Sequence, residues 1–93
     1  MIRNFADQEA EKLCQGTPSR RLPGDIQHVS RRKLRMFNNA AKLDDLRIPR
    51  ANRLEALKGS RKGQHSIRIN DQGRICFRWK DADAHGVEIV DYH

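Results

Sequence analysis

The chain has 93 residues, 19 Lys and Arg against 12 Asp and Glu, a formal net charge of +7 and 37% hydrophobic residues. Its 23 large apolar side chains fill one modest core and exclude a deep cofactor cavity, while their number and periodicity exclude a charge-driven disordered tail. No run approaches the roughly 18 apolar residues of a membrane span, and carboxylates stand among the first thirteen residues where a signal peptide needs an apolar stretch, so a cytoplasmic protein without membrane contact is expected.

Ile2 and Phe5 open a short strand. Residues 7–15 read as a helix with acids in its first turn, where the helix dipole favours them, and Gly16-Thr17-Pro18 stops it. Pro23-Gly24 breaks the chain again, and Asp25 is placed to cap a second helix reaching Ala41. At 100° per residue Ile26, Val29, Met36, Phe37 and Ala40 fall on one flank of that helix, while His28, Arg31, Arg32 and Arg35 face away. Residues 43–52 are irregular because Pro49 prevents a continuous helix, and residues 53–57 alternate as a strand.

The C-terminal half alternates more clearly. Ile67 and Ile69 oppose Ser66, Arg68 and Asn70; Ile75, Phe77 and Trp79 oppose Arg74, Cys76, Arg78 and Lys80; Val87 and Ile89 oppose Glu88, Val90 and Tyr92. With residues 70–73 as a turn and 81–86 as a polar loop, an antiparallel meander follows. The expected fold is a single α+β domain over 1–93, two N-terminal helices covering one face of an antiparallel sheet and leaving the other face lined with arginine.

Charge is concentrated where that face lies. Residues 20–80 carry 17 basic and 5 acidic side chains, whereas residues 81–93 carry four acids and no Lys or Arg. Such a field favours polyanions, above all nucleic acid, and 13 of the 19 cations are Arg, whose planar fork suits phosphate. Lys58-Gly59-Ser60-Arg61-Lys62-Gly63 adds cations to a backbone that its glycines let approach a phosphate closely. Arg68, Arg74, Arg78, Lys58, Arg61 and Lys62 are therefore the candidate RNA-binding residues.

Asp91-Tyr92-His93 supplies a carboxylate, a phenol and an imidazole, all able to handle protons. Beside phosphate-holding arginines, such groups meet the needs of RNA strand cleavage. A base takes the proton of the ribose 2′-hydroxyl, cations steady the phosphorane charge, and an acid protonates the departing 5′-oxygen. That chemistry calls for no metal or other cofactor. The four histidines lie in separate segments without metal-ligand spacing, Cys14 and Cys76 form no CxxC, and phosphate-loop, dinucleotide and serine-elbow motifs are missing.

The segments Asn52-Arg53-Leu54-Glu55-Ala56-Leu57-Lys58-Gly59, Ser66-Ile67-Arg68-Ile69-Asn70-Asp71, Arg74-Ile75-Cys76-Phe77-Arg78-Trp79 and Val87-Glu88-Ile89-Val90-Asp91-Tyr92-His93 resemble the HigB branch of the RelE/ParE toxin superfamily over essentially the whole chain. The resemblance implies a toxin of a type II toxin–antitoxin module, with the compact RelE/ParE-like fold. It implies a metal-independent endoribonuclease that cuts mRNA in the ribosomal A site and is neutralised by a helix-turn-helix antitoxin of the HigA type, in a hetero-oligomer that binds operator DNA. By position it places the family's C-terminal Asp, Tyr and His on Asp91, Tyr92 and His93, its loop lysine on Lys58 and its sheet arginine on Arg74. Glu55 stands where some members carry a catalytic histidine, which makes Glu55 a further catalytic candidate; Gly73 stands in place of a frequent Trp, and His65 in place of a frequent Tyr. Two other functions fit a basic domain of this shape: a ParE-like inhibitor of DNA gyrase, and an RNA-binding module without catalysis.

Overall fold

The computed structural model describes residues 1–91, the side chain of Asp91 excepted. Two helices, α1 (Gln8–Cys14) and α2 (Gly24–Asn39), precede a four-stranded antiparallel meander: β1 (Glu55–Ala56), β2 (His65–Arg68), β3 (Gly73–Lys80) and β4 (Asp83–Asp91), in spatial order β1-β2-β3-β4. Asp7 caps α1, its carboxylate accepting the Glu9 amide at 2.9 Å. Helix α2 begins one residue before Asp25, with Pro23 at its N-cap and no side-chain cap, and it stops at Asn39 because Ala40 is already extended.

Both helices lie against one sheet face. Leu13, Ile26, Leu34 and Phe37 meet Ile67, Ile75, Phe77, Val87 and Ile89 in a single buried cluster, where Phe37 and Phe77 pack edge to face with centroids 4.8 Å apart. The expected opening strand is reduced to two bridges parallel to β4, Ile2 with Ala84 and Phe5 with Val87. They satisfy backbone groups on β4's outer edge, which would otherwise be open to pairing with another chain.

The expected strand over 53–57 keeps only Glu55 and Ala56, because Arg53 adopts a left-handed conformation (φ 46°) after the 3-10 helix Arg50–Asn52. A second 3-10 helix, Leu43–Arg47, fills the rest of the irregular stretch. The expected 81–86 loop shrinks to a two-residue turn, since Lys80 already pairs with Asp83. At that turn Asp81 (φ 53°) and Ala82 (φ 66°) both have positive φ, the geometry of a primed hairpin turn that favours Asn-Gly over Asp-Ala. Ala82→Gly is therefore expected to stabilise the fold by about 1 kcal/mol, read as a higher urea midpoint with unchanged slope.

Lys33 departs from its amphipathic pattern. It lies on α2 but is 6% exposed, and its ammonium donates to the Oδ1 of the fully buried Asn52, which in turn donates to the Leu46 carbonyl at 3.0 Å. Burial, with Arg32 nearby, lowers the Lys33 pKa. The folded state thus binds this proton less tightly than the unfolded chain, so its contribution to stability rises with pH between the lowered value and the ordinary 10.5. Lys33→Met should abolish that rise, measured as the native-minus-variant difference in unfolding free energy between neutral pH and pH 10.

Candidate nucleic-acid interface

Cross-strand register decides which side chains share the uncovered sheet face. Glu55 pairs with Ser66, Ser66 with Cys76 and Cys76 with Glu88, making one row across all four strands. The adjacent row is Arg68, Arg74 and Val90. Ile67, Ile75 and Ile89 form the row between them that points into the core. Alternation along the strands therefore sets the arginines opposite the hydrophobic cluster, as the pattern predicts.

Between Cys76 and Arg78 the register with β4 shifts by one residue, and Gly86 on β4 has φ 60°. This is a β-bulge, and it reverses the alternation of β4. Ala84 and Val87, three residues apart, are consequently both fully buried, and His85 stands opposite Arg78. His85 thus joins the arginine face instead of lying in the expected 81–86 loop. The signal was present in the sequence as an apolar spacing of three interrupted by glycine. His65 goes the other way, stacking on the core residue Phe77 at 6.1 Å with its Nδ1 buried and unbonded among the described residues.

Charge on the face is held in place by ion pairs. Arg74 Nη1 lies 3.5 Å from Glu55 Oε1, diagonally across β2, and it is buried without a hydrogen bond among the described residues. Arg61 Nη1 donates to Glu88 Oε1 at 2.6 Å and to Gln64 Oε1 at 3.0 Å, tying the 58–63 loop to β4. Arg78 reaches the same loop: a Cβ built on Gly63 would stand 2.9 Å from Arg78 Nη1, so the guanidinium lies close to this backbone, and the φ of 94° favours glycine there. Ser66 and Cys76 are fully buried in the middle of the face, whereas Lys58, Lys62 and Arg78 are exposed. Arg68 is oriented by its own turn, with Nε donating to the Asn70 carbonyl at 3.1 Å and Nη2 to the Asp71 carboxylate.

The structure thus brings Glu55, Arg61, Arg68, Arg74 and Arg78 onto one face, bordered by the loop that carries Lys58 and Lys62. Tyr92, His93 and the side chain of Asp91 lie outside the described residues; the Asp91 backbone stands opposite Gly73 at the end of β4. Such a surface can hold a phosphate backbone and offers a carboxylate beside a guanidinium.

A family model described as the RelE-like toxin of the type II toxin–antitoxin system HigB matches residues 3–93. The chain belongs to this HigB-like toxin family. Among its relatives, Toxin HigB-1 of Vibrio cholerae serotype O1 is 40% identical over 85 residues, covering 90% of each chain. An uncharacterized protein of Haemophilus influenzae is 31% identical over 87 residues, covering 92% of this chain and 86% of its own. The protein is accordingly the toxin of a toxin–antitoxin pair, with an antitoxin as its partner. No helix among the described residues is long and apolar enough to cross a membrane.

Proposed function

We propose that this toxin is a cytoplasmic, metal-independent endoribonuclease that cuts mRNA in the ribosomal A site. The observation that carries the reading is the uncovered face on which Glu55 forms an ion pair with Arg74, with Arg68 beside Arg74 in the same row and Arg78 further along β3. Arg68, Arg74, Arg78, Lys58, Arg61 and Lys62 hold the RNA backbone. The ribose 2′-hydroxyl loses its proton, its oxygen bonds to phosphorus, and the bond from phosphorus to the 5′-oxygen breaks, leaving a 2′,3′-cyclic phosphate and a protonated 5′-hydroxyl. Tyr92 and His93 handle the protons and Asp91 or Glu55 orients or assists, while the arginines stabilise charge on the phosphorane. Purified toxin added to ribosomes carrying a defined message should cut only the codon in the A site and leave free message intact; equal cutting of free message would contradict ribosome dependence.

The antitoxin in this reading is of the HigA type, and its complex with the toxin binds operator DNA. The opposite side of the molecule supports an acidic partner surface there. His28, Arg32 and Arg35 are exposed on α2, and a cleft of about 630 Å³ beside α1 is lined by Lys12, Arg20 and Arg21. Arg31 is partly consumed by the fold, its Nε donating to the Leu13 carbonyl at 3.3 Å. Charge reversal at Arg32 and Arg35 should weaken the antitoxin complex by about 10-fold or more, read by calorimetry, and raise toxicity in cells carrying both proteins. Unchanged affinity would move the interface elsewhere.

A further inference from the structure

A second basic recess opens where β2 turns into β3. This cleft, about 350 Å³, lies between α2, the Ala51–Arg53 stretch and the Asn70–Asp71 turn. Three cations line it: Lys33, Arg53 and Arg68. Lys33 is the informative one, because a buried ammonium normally has a carboxylate partner. Here Asn52 Oδ1 is its one acceptor among the described residues. An ammonium carries three donor hydrogens and Asn52 takes one, so the cleft that Lys33 lines is where an anionic oxygen would meet the others.

The other walls fit the same ligand. The left-handed Arg53 places an exposed guanidinium at the rim, with no ion pair among the described residues. Arg68 belongs to both places: it lines the cleft, and it is the register partner of Arg74 on the sheet face. The cleft's acid, Asp71, is largely exposed and already engaged by Arg68. Net charge at the cleft is therefore positive, and Arg68 joins it to the arginine face.

We propose that this cleft is a phosphate subsite, held by Lys33, Arg53 and Arg68, which takes a backbone phosphate of the RNA that lies across the arginine face. It rests on the reading of that face as the RNA site. Arg53 and Lys33 then extend the RNA path around the end of the sheet, beyond the residues that face the reacting phosphate. Asp71 competes with the ligand for Arg68, so Asp71→Asn should tighten phosphate binding.

Backbone-amide NMR on the full chain tests this with two probes, inorganic phosphate and a 2′-O-methyl hexaribonucleotide that cannot be cleaved. The oligonucleotide is expected to shift the amides of Ala51, Arg53 and Asn70 together with those of β3, and phosphate to shift the cleft amides first. Arg53→Ala should remove the cleft shifts, keep the β3 shifts and lower the slope of log affinity against log salt by about 1. Lys33→Met should weaken the phosphate-induced cleft shifts while the oligonucleotide still shifts the β3 amides, and Arg74→Ala should remove the β3 shifts while phosphate still reaches the cleft. Shifts on β3 alone would overturn the subsite and leave the face standing. Cleft shifts with phosphate but not with the oligonucleotide would overturn its role in the RNA path and leave a free-anion site; no shifts with either probe would overturn both readings.

Discussion

Arg74→Ala is expected to lower message cleavage by about 10²- to 10³-fold, the effect of removing one preorganised charge donor from a phosphoryl transition state. The guanidinium sits on β3 beside Arg68 in its own row, it reaches Glu55 diagonally across β2, and its Nη1 is already withdrawn from solvent. Its fixed position means that no reorganisation is needed when charge gathers on the phosphorane. The fold should tolerate the change, because the Glu55 left behind is exposed and an ion pair of this kind contributes little to stability. Arg35→Ala, on the exposed side of α2, should retain cleavage. Rates of message cleavage on programmed ribosomes, compared at equal folded protein, check the pair of expectations. A helix arginine more sensitive than Arg74 would contradict the assignment of the face.

The second large effect concerns His93. Proton transfer by a positioned side chain contributes typically 10²- to 10⁴-fold, and an imidazole titrates near neutral pH without any special environment. His93→Ala should accordingly reduce cleavage by about 10²-fold or more, with folding and antitoxin affinity nearly unchanged. The pH dependence of cleavage should lose one limb in the variant. Full toxicity from a soluble His93→Ala, Tyr92→Phe chain would remove both residues from the mechanism and leave Glu55 with the arginines.

Much of this architecture is legible in the chain because period-2 and period-3.6 patterns report burial directly. Ile67, Ile75, Phe77 and Ile89 point to the core as their alternation demands, and Arg68 and Arg74 point away for the same reason. What escaped the pattern depends on tertiary geometry. The bulge at Gly86 reverses the alternation of β4 and brings His85 beside Arg78, and the left-handed Arg53 shortens β1 to two residues. Lys33 falls on the inward flank of α2 by its spacing from Ile26 and Phe37, and what no local pattern announces is its acceptor, Asn52, nineteen residues away. The ion pairs of Glu55 with Arg74 and Arg61 with Glu88 join different elements, and no local spacing announces them. The family motif, not periodicity, singled out Glu55.

The central claim is that the arginine face holds and cuts translated message, and sequencing of new mRNA 5′ ends after induction in a sensitive bacterium tests it most directly. The account predicts cuts confined to translated regions and in frame with the codons, absent on induction of Arg74→Ala at equal protein level. Growth arrest with DNA-damage signalling and no new 5′ ends would contradict it and identify the same fold as a poison of DNA gyrase.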